Sequence, residues 1–261
     1  MNRLTKKLSK IKSNNKKALV GYLVAGDPDI ETTVELMKLF SSSGVDIIEI
    51  GVPFTDPIAE GPIIQKAHDR ALKKDISLVS IFQMIEKYRE FDDETPLVLM
   101  GYLNTFIYHK ELIENNQNDA VDSILVVDIP GELKLEDYGV KSNNINTISL
   151  ISPTTKKDRV KLIAENSTGF VYYVTLRGVT GSSNLNIDEI KKNIEEIKTY
   201  SSVPTLAGFG IKSIEDAKLL ADCSDGIIIG SSLVQMIEQG SEKKEFDRIG
   251  KYISEIKKAI S

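Results

Sequence analysis

Short apolar runs rich in β-branched residues recur along the chain, and a stretch with apolar positions at helical spacing follows each of them. These runs predict strands at 19–24, 46–50, 97–100, 123–127, 147–151, 169–175, 203–207 and 226–229. The intervening and following stretches predict helices at 30–42, 62–72, 78–88, 110–115, 133–138, 156–166, 187–199, 214–222, 232–239 and 246–260. Leu4, Leu8 and Ile11 also stand at helical spacing and predict an extra N-terminal helix.

Several predicted strands are apolar on both faces, as in Ile227-Ile228-Ile229, which is typical of buried parallel sheets. Eight β/α repeats in 261 residues fit the α/β class and a closed (β/α)8 TIM barrel. The competing architecture is a doubly wound open sheet, which would place a GxGxxG turn after the first strand, and the sequence has none there. Since no Ser/Gly/Pro-rich linker divides the chain, we predict a single barrel domain over 1–261 with the extra N-terminal helix.

Charge and cysteine content narrow the function classes. The formal net charge of -5 gives no general reason to bind nucleic acid, and the lysine-rich N-terminus fits the polar face of an amphipathic helix. One cysteine, Cys223, excludes an intrachain disulfide, and with two histidines it argues against a His/Cys metal site. No apolar run approaches the roughly 20 residues that span a bilayer, and no signal-peptide core is seen. We therefore expect a cytoplasmic protein without membrane contact.

Glu49 stands inside the apolar second strand. Because strand side chains alternate, Glu49 points away from the face of Ile48 and Ile50, into the barrel mouth. Burial would raise its pKa towards neutrality, which suits proton transfer, although a structural carboxylate bound by backbone donors is the alternative. Asp56 and Glu60 follow in a loop rich in Pro and Gly. Either could be a second carboxylate that divides acid and base roles with Glu49, or could serve the turn and the helix N-terminus.

Glycines follow predicted strands 6, 7 and 8, in GVTG at 178–181, GFG at 208–210 and GSS at 230–232. Backbone N–H groups beside glycines can approach an anion closely, and the loops after strands 7 and 8 are the usual phosphate site of such barrels. Ordinary βα turns are the alternative for each motif alone. Three such motifs at the ends of successive strands predict a phosphate site, and therefore a small phosphorylated substrate. Tyr173 on strand 6 is predicted to face the barrel mouth near Glu49, with a core position as the alternative.

Between about residues 22 and 234, the chain resembles the tryptophan synthase alpha chain family in five sequence motifs that follow one another in a fixed order. They are AGDP at 25–28, DIIEIGVPFTDP at 46–57, MGYLN at 100–104, GVTG at 178–181 and GFGI at 208–211. The resemblance implies a carbon–carbon lyase of tryptophan biosynthesis. The reaction would be retro-aldol cleavage of indole-3-glycerol phosphate to indole and glyceraldehyde 3-phosphate, with no metal or organic cofactor in this chain.

The resemblance also implies residue roles and a partner. Glu49 would transfer the proton, and Glu60 would bind the indole N–H. The phosphate would lie on backbone groups near Gly181, Gly210, Gly230 and Ser231. The indole pocket would be lined by Tyr22, Met100, Tyr102, Leu125, Val127 and Ile151. The partner would be a beta chain in an α2β2 heterotetramer, with pyridoxal phosphate expected in the beta chain alone.

Three departures from the family pattern stand out. The family usually has Asp where this chain has Glu60, whose arm is longer by about 1.5 Å. Arg177 lies next to Gly178, whereas the family often has its Arg two to three residues before the GVTG run. The loop at 128–132 differs on a surface that contacts the beta chain in the family. The alternatives are a free-standing lyase, a weakly catalytic subunit that mainly activates a beta chain, and a phosphosugar isomerase on the same barrel.

Overall fold

The computed structural model describes residues 2–116, 119–142, 144–175, 186–208, 210–211, 213–243 and 245–261. In this part of the chain, eight parallel strands close into a barrel in sequence order. The strands are β1 Ala18–Val24, β2 Ile47–Gly51, β3 Leu97–Gly101, β4 Ser123–Val126, β5 Asn146–Ile151, β6 Val171–Val174, β7 Thr205–Gly208 and β8 Gly226–Ile229. The TIM barrel predicted from the sequence is confirmed.

Helices surround the barrel and occupy most of the connections between strands. They are α1 Arg3–Ser13, α2 Ile30–Ser43, α3 Pro62–Leu72, α4 Leu78–Arg89, α5 Leu103–Tyr108, α6 Lys110–Asn115, α7 Lys157–Asn166, α8 Ile187–Tyr200, α9 Ile214–Cys223, α10 Ser231–Lys243 and α11 Asp247–Ala259. Among the described residues, no helix is both long and apolar enough to cross a bilayer.

Two connections differ from the prediction. The helix α5 has six residues and follows β3 directly, at a place where no helix was predicted. The helix predicted at 133–138 is a single 3₁₀ turn, Leu135–Tyr138, which Gly139 ends in the left-handed conformation with φ 78°. Consequently, in the described residues between β4 and β5, no α-helix covers the barrel.

Strand side chains alternate between the barrel interior and the helix layer. The interior cluster contains Ala18, Val20, Ile47, Val98, Leu125, Ile148, Phe170, Leu206 and Ile228. Their neighbours on the strands pack outward in a larger cluster against the helices, among them Leu19, Ile48, Ile50, Leu99, Ile124, Ala207 and Ile227. Since Ile48 and Ile50 face the helices, Glu49 between them faces the interior, as predicted.

The N-terminal helix α1 closes the end of the barrel at which the strands begin. Leu4, Leu8 and Ile11 are buried and pack into the interior cluster. The Asn2 side chain accepts a hydrogen bond from the Thr5 backbone N–H and donates one to the Asp122 carbonyl, just before β4. The lysine-rich face of α1 is largely exposed, which fits the amphipathic helix predicted from the sequence.

Arg70 on α3 connects the loop after β1 to α10. Its guanidinium donates to both carboxylate oxygens of Asp27, at 2.7 and 2.8 Å, and to Glu238 at 2.6 Å. Asp27 is buried, so this pair is screened less than a surface ion pair. The contact fixes α3 and α10 relative to each other, and both helices begin at the mouth of the barrel.

Candidate active site

Glu49 is a buried carboxyl group in the middle of β2. In the strand register it lies beside Tyr22 on β1 and Val98 on β3, and its side chain is 1% exposed. Its Oε1 atom has no hydrogen-bond partner among the described residues. Burial, with a smaller contribution from the charge of Glu60, raises the pKa of Glu49 to about 8. Glu49 is therefore protonated at neutral pH, which is the state that a proton donor needs.

Glu60 reaches the same space from the loop between β2 and α3. The Tyr102 hydroxyl donates a hydrogen bond to Glu60 Oε2 and accepts one from the Ala59 N–H at 3.0 Å. Gln65 Nε2 donates to the Glu60 carbonyl at 2.9 Å and holds the backbone. Burial raises the pKa of Glu60, while the Tyr102 hydroxyl and nearby backbone N–H groups counteract that rise. Of the two carboxyl groups, Glu60 is therefore the better stabilised as an anion.

Both carboxyl groups line one cavity of about 300 Å³ at the mouth of the barrel. The rest of its wall is largely apolar or aromatic and includes Tyr22, Ile63, Ile64, Met100, Val127, Leu150, Tyr172, Val174, Ile211 and Ile228. Pockets that bind small molecules have this size and this combination of apolar walls with a few convergent polar groups. Two ionisable groups in unlike surroundings make the cavity suited to acid–base chemistry.

A larger cleft of about 1060 Å³ lies at the other end of the barrel, beside α1. Its charged lining includes Lys6, Lys10, Glu94 and Glu136, and all four side chains are exposed. Solvent screens such groups, so their surroundings do not prepare them for catalysis. The smaller apolar cavity is therefore the candidate active site.

Two predicted pocket residues, Tyr173 and Ile151, point away from the cavity, so the prediction for them is wrong. Both pack in the outer cluster, and the Tyr173 hydroxyl accepts a hydrogen bond from Asn193 Nδ2 on α8 at 2.8 Å. Tyr172 and Leu150 line the cavity in their place. Each error is a shift by one residue along a strand, which moves a side chain to the other face of the sheet.

Three other predicted pocket residues line the cavity: Tyr22, Met100 and Val127. Tyr102 reaches the site through its contact with Glu60. Leu125 packs in the interior cluster beside Ile148 and supports the cavity from within the barrel. Of the six residues predicted for the indole pocket, three therefore line the cavity, Tyr102 reaches it through Glu60, Leu125 supports it from within the barrel, and Ile151 points away from it.

The loops after β7 and β8 also border the cavity. Gly210, Gly230 and Ser231 are in its lining, and α10 begins at Ser231. The Ser232 hydroxyl donates to the Ile211 carbonyl at 2.8 Å and ties the two loops together. Gly210 has a φ of 77°, a conformation that favours glycine. The free N–H groups and partial positive charge of a helix N-terminus favour an anion at this place.

Gly181 and Arg177, on which predictions for the sixth loop rest, lie outside the described residues. Thr175 ends the described part of that loop, and its hydroxyl donates to the Gly208 carbonyl at 3.0 Å. The role of Gly181 in phosphate binding stays a prediction. Likewise, the expectation of a cofactor-free chain stays a prediction, although no cluster of three metal-ligating side chains occurs in the described part of the chain.

Comparison with known proteins gives a consistent result. The family model for the tryptophan synthase alpha chain matches residues 8–261. The chain is 40% identical to the tryptophan synthase alpha chain of Nitrosomonas europaea, over 100% of this chain and 96% of that one. It is 44% identical to the same protein of Neisseria gonorrhoeae, over 94% of each chain.

A solved structure agrees with these sequence relatives. The crystal structure of tryptophan synthase subunit alpha from Legionella pneumophila superposes with a TM-score of 0.89 at 38% identity. The superposition covers 100% of this chain and 98% of that structure. Family model, sequence relatives and fold all extend over nearly the whole chain. The chain therefore belongs to the tryptophan synthase alpha chain family.

Proposed function

We propose that the chain cleaves indole-3-glycerol phosphate into indole and glyceraldehyde 3-phosphate by a retro-aldol reaction. The observation that carries the proposal is the convergence of Glu49 and Glu60 on one apolar cavity beside the N-terminus of α10. The apolar wall suits an indole ring, the helix N-terminus suits a phosphate, and two unlike carboxyl groups suit proton transfer. Membership of the family supports the same reaction.

Glu49 supplies and recovers the proton in this proposal. Its neutral carboxyl group donates a proton to the ring carbon that bears the glycerol side chain. The resulting carboxylate then accepts the proton of the adjacent hydroxyl group. The side-chain carbon that carries this hydroxyl group becomes the aldehyde, and the electron pair of the broken carbon–carbon bond returns to the ring to give indole. Glu49 ends protonated, so protons and electrons balance between the substrate and one side chain, with no cofactor or metal ion in this chain.

Glu60 stabilises the ring while it carries the extra proton. Protonation at carbon places positive charge on the ring N–H, and an ionised Glu60 accepts a hydrogen bond from that group. Tyr102 donates to Oε2 of the same carboxylate, so the oxygen that faces the substrate is held in place. The side chain of Glu60 is one methylene longer than that of the Asp usual in the family, and the hydrogen bond from Tyr102 holds its carboxylate in place.

The proposed partner is a tryptophan synthase beta chain in an α2β2 complex, with pyridoxal phosphate bound by the beta chain. Exposed apolar side chains near the barrel mouth support this assembly. Ile58 is 83% exposed on the loop that carries Glu60, and Tyr108 is 82% exposed at the end of α5. In the proposed complex both side chains would be covered by the beta chain, because burial of apolar surface is favourable. Because Ile58 lies two residues before Glu60, a partner at this surface would contact the catalytic loop.

The test measures indole formation by the purified chain with indole-3-glycerol phosphate, alone and with a beta chain. We expect turnover by the wild-type chain and a rise when the beta chain is added. Glu49→Gln should reduce kcat by about 100-fold or more, since it removes the group that transfers the proton. Glu86→Gln, an exposed glutamate on α4, is the matched control and should leave the rate unchanged.

The same assay separates the alternatives. Full turnover without any effect of a beta chain would indicate a free-standing lyase. Activation of a beta chain that survives Glu49→Gln would indicate a subunit whose main task is activation. If neither the chain nor the mixture forms indole, the proposed reaction is wrong.

A further inference from the structure

His68 is a buried imidazole that the proposed reaction does not use. It lies on α3, two turns after the helix begins, and its residue is 1% exposed. Nδ1 accepts a hydrogen bond from the Phe54 backbone N–H at 3.0 Å. Nε2 lies 3.5 Å from the Tyr22 hydroxyl oxygen, in the wall of the cavity. A polar side chain this deep has to be held by specific contacts, because burial without them is costly.

The bond to Phe54 closes the loop that carries Glu60. This loop leaves β2 at Gly51 and enters α3 at Pro62, two residues after Glu60. Its far end is therefore joined to α3 by the chain itself, and its near end is joined to α3 by His68. Closing a loop in this way removes conformations that the backbone would otherwise sample.

Phe54 also contacts Tyr102, the residue that donates a hydrogen bond to Glu60. Its ring stacks on the ring of Tyr102, with centroids 4.4 Å apart and planes 13° from parallel. Tyr102 in turn donates to Glu60 and accepts from Ala59. A continuous set of contacts thus runs from the His68 imidazole to the Glu60 carboxylate, through one hydrogen bond, one aromatic stack and a second hydrogen bond.

The imidazole has to be neutral to act in this way, because only a ring nitrogen without a proton can accept from Phe54. Burial lowers the pKa of His68 to about 4, while the charge of the neighbouring Asp69 opposes that change. The group that faces Nε2 is the Tyr22 hydroxyl. The proton of the neutral ring therefore resides on Nε2, on the side of Tyr22.

We propose that His68 is a positioning residue for Glu60, which it fixes through the Phe54 backbone and the Phe54–Tyr102 stack. The role rests on the proposed function, in which Glu60 acts on the indole N–H. It predicts that loss of the Nδ1 acceptor lowers kcat and leaves binding of the phosphate end, and hence KM, nearly unchanged.

Three variants of His68 separate its two nitrogens. The Asn amide oxygen can occupy the place of Nδ1, whereas the Gln amide reaches the place of Nε2, and Leu offers neither. We expect His68→Asn to retain kcat within about threefold of the wild type, and His68→Leu and His68→Gln to lower it about tenfold, since small displacements in catalytic geometry are costly. His109→Asn, at the other histidine of the chain, is the control and should not change kcat. If His68→Leu fails to fold, the Asn and Gln pair gives the answer.

A double-mutant cycle with Glu60→Gln tests whether His68 acts through Glu60. In the Glu60→Gln background, loss of His68 should change kcat by less than about twofold, because the group that it positions is already gone. A merely structural role would lower kcat by the same factor in both backgrounds. Equal effects in both backgrounds, or equal rates for the Asn and Gln variants, would overturn the proposal.

A second readout needs no turnover. In the NMR spectrum, His68→Leu should speed hydrogen exchange of the Phe54 amide and move the titration of the Glu60 carboxyl carbon to higher pH, because the Tyr102 bond that lowers its pKa is weakened. An unchanged Glu60 titration would contradict the positioning role. If the wild-type chain forms no indole while these spectra change as expected, the proposed function fails and the tie between His68 and Glu60 stands.

Discussion

The hydroxyl group of Tyr102 and the carboxylate of Glu60 are hydrogen-bonded, and the same hydroxyl oxygen accepts from the Ala59 N–H. Tyr102 follows β3, whereas Glu60 lies in the loop after β2. The pair therefore joins two neighbouring βα loops at the barrel mouth. Because the hydroxyl group donates a hydrogen bond to the carboxylate, the negative charge of Glu60 is stabilised where burial would otherwise disfavour it.

Tyr102→Phe should lower kcat for indole formation by about 10- to 100-fold, since hydrogen bonds to charged groups are worth about 1.5–3 kcal/mol. The pKa of Glu60 should rise, so the acidic limb of the kcat/KM profile should move to higher pH. Steady-state rates across the pH range measure both effects. Tyr108→Phe, at an exposed tyrosine, is the control in assays without a beta chain. An unchanged rate and profile for Tyr102→Phe would contradict the role of the hydroxyl group.

Glu49→Gln should make the protein more stable at neutral and alkaline pH. The folded pKa of Glu49 is raised from 4.5 to about 8, so the folded state holds a proton that the unfolded state releases in this window. The free energy of unfolding of the wild type therefore falls as pH rises from about 4.5 to about 8, because of Glu49, by up to about 1.4 kcal/mol per pH unit. Gln cannot ionise and avoids this loss.

Urea unfolding at a series of pH values measures this effect. The difference in unfolding free energy between Glu49→Gln and the wild type should grow across the window, while at neutral pH the exposed control Glu86→Gln should stay within about 0.5 kcal/mol of the wild type. A difference that stays constant with pH would mean that the pKa of Glu49 is not raised in the folded state.

Tyr172→Phe and Tyr173→Phe should affect different properties, the first activity and the second stability. The first removes a hydroxyl group from the cavity that holds Glu49, so kcat/KM should fall while stability changes little. The second removes the hydrogen bond with Asn193 and should lower the free energy of unfolding by about 1 kcal/mol without changing activity. Steady-state kinetics and chemical unfolding of both variants provide the comparison. The reverse result would mean that Tyr173, and not Tyr172, faces the cavity.

Gly51→Ala should damage the site, because an added Cβ would lie 2.2 Å from the Tyr22 hydroxyl oxygen and 2.7 Å from Cζ of the same ring. Overpacking of this kind costs about 1–3 kcal/mol, and the displaced ring would enter the cavity and raise KM. Gly61→Ala is the matched control, since no described atom lies within 4 Å of its added Cβ. Thermal unfolding and KM test the pair, and a Gly51→Ala variant as stable and active as Gly61→Ala would refute this packing.

The sequence was sufficient for the barrel and for Glu49 because each depends on a contrast that is visible in the residues. β2 has one charged residue among isoleucines, so the alternation of faces assigns Glu49 to the interior. β6 reads Val-Tyr-Tyr-Val, with similar residues on both faces, and therefore gives no such contrast. Phe170 packs in the interior and sets the face of Tyr172, but that packing depends on tertiary contacts.

The contacts that surround Glu60 were also out of reach of the sequence. Tyr102 was predicted as a wall of the indole pocket, whereas its position after β3 brings its hydroxyl group to a carboxylate 42 residues earlier in the chain. His68 carried no prediction, because a lone histidine on a helix is usually a core or surface residue. Both contacts depend on how the loops meet at the barrel mouth, and local periodicity does not encode that arrangement.

The helix α1 gives the barrel one further property. Leu4, Leu8 and Ile11 pack against the side chains that fill the interior, so the described part of the barrel is closed at that end. In the proposed reaction, the substrate would enter and the products would leave at the mouth, past the loops that border the cavity. Ile58 and Glu60 lie on one of those loops. If the chain releases indole as proposed, a protein that docks there would stand directly in the path of that product.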